Sequence, residues 1–168
     1  LHGVPMPLLF RNVLQHSNNL EDVVNKVRNA RRTNCYGYFS ADAKANESIA
    51  FVTDEEVCET YTPETLQEFA GRLQPNYRFQ CTDFLSCGHN NLLVDELIAP
   101  RYGQVTPLFL QQEVNPKAAL KVNLQCAIYN LTDLEAYVAN AEERENAYKR
   151  PYVRFKLSDA LTFFRERK

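Results

Sequence analysis

The hydrophobic period of this chain changes near residue 33, and that change limits the folds open to it. Met6, Leu9, Phe10 and Val13 fall at i, i+3, i+4 and i+7, with Pro7 where a first helical turn tolerates it. After His16-Ser17-Asn18-Asn19, the residues Leu20, Val23, Val24 and Val27 restart the same spacing. The pattern predicts two amphipathic helices, the second running to about Ala30, with Asn18 and Glu21 spaced as an approximate capping box and Arg31-Arg32 suited to its last turn. From Asn34 the period becomes two. Asn34 to Ala41, Ser48 to Thr53 and Val57 to Tyr61 are aromatic or β-branched, separated by the turn candidates Lys44-Ala45-Asn46 and Asp54-Glu55. Three consecutive antiparallel strands account for them.

Thr62-Pro63-Glu64 reads as a helix start, with the stripe Leu66, Phe69, Ala70 and Leu73 behind it. Tyr77 to Phe84 reads as a further strand. Leu85 to Pro100 reads as irregular, and chemistry is expected there because loops on a rigid scaffold carry most functional residues. Pro107 and Pro116 argue against a long regular element between Arg101 and Lys117. Leu120, Val122, Leu124, Cys126 and Ile128 then alternate with Lys121, Asn123, Gln125, Ala127 and Tyr129, which predicts one long strand with this apolar set turned inward. Asn130-Leu131-Thr132-Asp133 turns it into a hairpin through Leu134, Ala136 and Val138. Val153, Phe155 and Leu157 repeat the alternation, and Ser158-Asp159 opens a terminal helix. Helices and antiparallel strands in this order make the chain α+β.

Composition excludes several functions. The chain has 168 residues, 45% of them hydrophobic and 24% charged, enough for one domain with a real core. It lacks a run of 18 apolar residues that could span a bilayer, and its net charge of −2 lacks the basic excess that nucleic-acid binding uses. Five cysteines without a C-x-x-C pair, beside three histidines, argue against a zinc site, and no metal or organic cofactor is expected. Cys35, Cys58 and Cys126 read as small buried hydrophobes inside strands; Cys81 and Cys87 are close enough in sequence for a disulfide in an oxidising compartment. The chain opens Leu1-His2-Gly3-Val4-Pro5 without an initiator Met, which reads as an end made by cleavage, or by cutting a longer sequence, rather than by a start codon.

The segments Gly3-Val4-Pro5-Met6-Pro7-Leu8-Leu9-Phe10-Arg11, Leu20-Glu21-Asp22-Val23-Val24, Arg31 to Ala43 and Ile49-Ala50-Phe51-Val52 resemble consecutive stretches of isopenicillin-N acyltransferase-like proteins. The loop His89-Asn90-Asn91 resembles their Thr-Asn loop, and Cys126 to Ala139 is similar to their final hairpin. Acid ceramidase-type amidases and choloylglycine hydrolases share the arrangement more distantly. All are N-terminal-nucleophile hydrolases, so the resemblance implies that residues 1–168 are the carboxy-terminal portion of a four-layer αββα sandwich with antiparallel sheets.

The implied activity is cleavage or transfer of the acyl group of a linear amide, a small molecule, through a thioester on an N-terminal Cys. By the usual spacing that Cys lies about a hundred residues ahead of Leu1, on another segment or chain that would be the partner. The resemblance maps the oxyanion-stabilising amide onto Asn91, although Leu92 stands where relatives carry His and Asn90 where they carry Thr. His89 and Asn90 would then touch substrate. Tyr36 and Tyr38 fit an acyl pocket, though tyrosines at alternate strand positions more often belong to a core or an interface. Asn91 also fits a plain turn residue, Cys87 beside His89 an incidental thiol, and Arg11 the polar face of its helix. The alternative reading is a catalytically inactive relative that serves as a structural or interaction subunit.

Overall fold

The computed structural model describes residues 3–33, 35–65, 68 and 91–166, with the backbone alone at Tyr36, Asn91 and Phe164. The expected helical stripe Leu66, Phe69, Ala70 and Leu73, the strand Tyr77 to Phe84, and Cys81, Cys87, His89 and Asn90 lie outside them. The chain forms two compact units that divide between Asn91 and Leu92.

In the first unit, α1 (Met6–His16) and α2 (Leu20–Asn29) form where the period predicts them. The cap of α2 falls one residue later than its sequence spacing suggested. The Asn19 side chain accepts from the Asp22 N–H at 2.8 Å, and the Asp22 carboxylate accepts from the Asn18 N–H at 2.9 Å. These two bonds satisfy donors at the helix start reciprocally. The Asn18 N–H, helped by the Asn18 side-chain amide, also holds the Asp22 carboxyl below its ordinary range. The Lys26 ammonium donates to the His16 carbonyl and so ties α2 to the carbonyl end of α1.

Strands β1 (Tyr36–Asp42), β2 (Glu47–Thr53) and β3 (Cys58–Tyr61) make an antiparallel sheet in the order β1-β2-β3, as the alternation predicts. Local turn chemistry sets the register. Asp42 Oδ1 accepts from the Lys44 N–H, Asn46 takes the left-handed conformation at φ 55°, and Asp54 Oδ1 accepts from the N–H groups of Glu56 and Val57. Met6, Leu9 and Val13 of α1 and Val23 and Val27 of α2 pack on Ile49 and Phe51, placing a helical layer on one face of the sheet. Cys35 departs from expectation: β1 starts at Tyr36, which leaves Cys35 exposed ahead of the strand.

Arg32 closes this unit. Its side chain donates to the carbonyls of Val27, Arg28 and Ala30 at the end of α2, and to those of Asp54 and Val57 across the β2–β3 turn. One buried guanidinium thus caps a helix and fixes a hairpin turn. Val4 bridges to Arg32 as a short parallel strand, and Gly3 runs so close to the Arg31 and Arg32 backbone that an added Cβ would meet the Arg31 oxygen at 2.7 Å.

Residues 91–98, all but the first of them in the second unit, are α-helix rather than irregular: α3 (Asn91–Ile98) buries Asp95 and Ile98 three residues apart. A further helical run, α4 (107–118), occupies the stretch in which two prolines argued against regular structure. Pro107 sits at the first position behind the Thr106 cap, whose side chain accepts from the Phe109 N–H. The middle, Leu110–Val114, is π-helical, with the Asn115 N–H bonded to the Leu110 carbonyl. That wide turn lets Pro116 enter the following α-turn, where a regular helix would clash with its ring.

Strands β4 (Gln125–Asn130), β5 (Glu135–Asn140) and β6 (Val153–Lys156) form a second antiparallel sheet in the order β4-β5-β6, followed by α5 (Leu157–Arg165). The long strand expected from Leu120 begins only at Gln125, and Leu120, Val122 and Leu124 are exposed. Side-chain amides hold this approach instead of a ladder: Asn146 Nδ2 donates to the Lys121 carbonyl, and the Asn123 N–H donates to Asn146 Oδ1. Both sheets and the helices around them establish the α+β class.

Candidate functional site

Asn91, the residue to which the resemblance assigns oxyanion stabilisation, is the first residue of α3. Tyr36 is the first residue of β1. Tyr38 lies on the helix-facing side of the first sheet, edge-on to Phe10 with ring centroids 4.5 Å apart and stacked on Phe51 at 4.8 Å. Its ring therefore belongs to the packing of that unit. His89 and Asn90 fall outside the described residues, so the described structure brings none of the five residues against another. Arg11 is exposed on the polar side of α1.

Two polar groupings that the sequence did not single out lie on the buried side of the second sheet. Pairing of Cys126 with Ala139, Ile128 with Tyr137 and Tyr137 with Arg154 puts Glu135, Tyr137, Arg154 and Lys156 on the same side as buried Cys126 and Ile128. Glu135 is buried, and its carboxylate accepts from Arg154 and from the Tyr137 hydroxyl, with the Lys156 ammonium at 3.8 Å. The Arg154 bond, then the Tyr137 bond, overcome the effect of burial and hold the Glu135 carboxyl down at about 2. The same bond to Glu135 pushes the Tyr137 phenol upward.

The second grouping centres on Cys126. Its thiol donates to Asn123 Oδ1 at 3.1 Å, which also accepts from the Tyr148 N–H at 3.1 Å. Asn115 Nδ2 donates to the Tyr152 hydroxyl at 2.7 Å. Burial pushes that phenol up to about 12; Cys126 beside it adds to the rise and the Asn115 bond opposes it. A phenol at about 12 and a carboxylate at about 2 both keep one charge state near neutral pH, so neither is poised for proton transfer. The Glu135 grouping ties β5 to β6, and the Cys126 grouping joins α4, the approach to β4 and the segment before β6. Only the interleaved polar residues of the alternating runs could have revealed them, and that signal does not identify the buried side.

A surface depression of about 520 Å³ is lined by Glu142, Glu143, Arg144, Glu145, Lys149 and Arg150. Arg150 pairs with Glu145 at 3.0 Å and with Glu142, and the lining, charged throughout, lacks the apolar walls of a small-molecule pocket. Among the described residues, no group of three or more His, Cys, Asp and Glu side chains is arranged to hold a metal ion, and no helix is long and apolar enough to cross a membrane. No family model, curated protein or solved structure matches the chain.

Proposed function

We propose that this chain is one portion of an N-terminal-nucleophile amidase or acyltransferase with the four-layer αββα fold, its catalytic Cys supplied by another segment or chain. The observation that carries the reading is the helix-on-sheet layer pair of the first unit: four of the segments that carry the resemblance, 3–11, 20–24, 31–43 and 49–52, fall in α1, α2, β1, β2 and the stretches beside them. One α layer on one antiparallel β layer is half of such a sandwich. In this reading the N-terminal thiolate attacks the amide carbon of a small linear amide, and the acyl group passes to water or to an amine from the thioester. Asn91, opening α3, donates an amide N–H to the oxyanion.

The test begins with natural material. Intact-mass analysis is expected to find a co-purifying segment that begins with Cys, and a thiol-reactive amide analogue is expected to label that Cys. Label on Cys87 alone, or nowhere, overturns the mechanism. In the unlabelled complex, Asn91→Ala is expected to lower acyl transfer by roughly 100- to 1,000-fold while the Cys stays reactive to the label. A second reading, a non-catalytic structural subunit of the same fold, draws support from Tyr38: a ring stacked into the Phe10–Phe51 packing is unavailable to line an acyl pocket. An unlabelled partner together with no acyl transfer by the parent complex would favour it.

A further inference from the structure

The second sheet wears its apolar side outward. The register that buries Cys126, Ile128 and Ala139 leaves Ala127, Tyr129, Ala136, Val138, Val153 and Phe155 on the opposite side. Tyr129 is 67% exposed, Val153 71% and Phe155 52%. The ladder continues one step further, with the Leu157 N–H bonded to the Leu134 carbonyl, and both of those leucines are exposed too. The only other residues on this side of the paired strands are Gln125 and Asn140, whose amides bond each other at 2.9 Å. The face therefore carries no charge.

We infer that this face is an isologous interface on which a second copy of the chain seats. Charge supports a twofold partner: in such an interface each residue meets the same surface of its partner, and a charged residue near the axis would face its own like charge. This face has none, while the opposite side of the same sheet holds Glu135, Arg154 and Lys156. Area supports it as well. At roughly 150–250 Å² for a fully exposed large side chain, the outward residues present on the order of 600 Å². That is at the upper limit of the apolar patches on monomers, and twice that area reaches the lower edge of specific stable interfaces, about 1,200 Å² in total. Two such sheets would stack about 10 Å apart with Tyr129, Val153 and Phe155 interleaved.

Sedimentation equilibrium of the full chain tests this. A dimer is expected at about 10 to 100 µM, the range an interface of this modest size supports. Val153→Glu and Phe155→Glu are each expected to weaken it by roughly 100-fold or more, since each buries two unpaired carboxylates around the axis. Leu14→Glu, on an exposed position of α1, is expected to leave the dimer intact. Val153→Thr keeps the strand-favouring branched shape and serves where a glutamate prevents folding; far-UV circular dichroism identifies that case, and about tenfold weakening is then expected. A monomer throughout this range, a dimer indifferent to all three face variants, or a monomer that floats with neutral phosphatidylcholine vesicles would overturn the proposal.

Discussion

Arg32 is the side chain whose replacement tests most about the first unit. Its residue is only 6% exposed, and the guanidinium donates five hydrogen bonds to backbone carbonyls at 2.7 to 3.3 Å. Three of those carbonyls, of Val27, Arg28 and Ala30, belong to the end of α2, where helical carbonyls lack their own partners and the dipole favours a cation. A hydrogen bond to a charged group contributes about 1.5–3 kcal/mol, but five bonds to one group do not add. An unmatched buried polar group costs about 1–3 kcal/mol, and several carbonyls lose their donor at once, so Arg32→Ala should destabilise the unit by about 3–5 kcal/mol. Lysine has a single ammonium and cannot reach both the α2 end and the β2–β3 turn, so Arg32→Lys should lose about half as much. Arg32→Met keeps the apolar stem and separates packing from polar capping. The assay is urea unfolding followed by far-UV circular dichroism, together with amide exchange of α2 and of residues 54–57. Arg32→Ala within about 1 kcal/mol of the parent, or unchanged exchange in the β2–β3 turn, would refute the joint helix-and-turn role.

Phe51 is fully buried between Tyr38 and the helical layer, so Phe51→Ala should lose about 3–5 kcal/mol in the same unfolding assay, while Phe51→Leu should lose much less. Gly3→Ala places a Cβ within 2.9 Å of three backbone atoms of Arg31 and Arg32 and should free the Val4 amide, now bonded to the Arg31 carbonyl at 2.7 Å, to exchange quickly. Glu135 titrates at about 2 in the folded chain against an ordinary 4.5, so its stabilisation is complete above about 4.5 and is lost as the pH falls toward 2. Acid titration of exchange in β5 and β6 should show that window, and Glu135→Gln should flatten it.

The first unit was legible as far as Tyr61 because its determinants there are local. The 3.6-residue spacing of Met6, Leu9 and Val13, the two-residue spacing through Ile49 and Phe51, and the Asp42 and Asp54 turns each act within a few residues. Even the displaced cap of α2 moved by only one position, because Asn18 and Asn19 offer the same chemistry and the Asp22 carboxylate engages both. The second unit depends on longer reach. Nothing adjacent in sequence announces the Asn115 to Leu110 bond that admits Pro116 to a helix, or the Asn146 side chain that holds Lys121 and Asn123 out of a strand. Asn91 was reached only through resemblance, since its Asn-rich setting reads as a turn while the backbone from Asn91 on is helical.

The reversal in the second sheet has the same origin. Alternation states which residues share a side, and it grouped Leu134, Ala136 and Val138 correctly against Glu135, Tyr137 and Ala139. It cannot state which side is buried, and transfer energies alone would bury the aliphatic set. The hairpin pairing resolves the choice: once Cys126 and Ile128 are covered, their partners Ala139 and Tyr137 must share that side, and Glu135 follows two residues from Tyr137. A buried carboxylate there is tolerated because Arg154, placed opposite Tyr137 by the β5–β6 register, reaches it. The same register sends Val153 and Phe155 outward, so a buried carboxylate reached by a half-exposed arginine on one side and an uncharged apolar face on the other are consequences of a single choice of pairing.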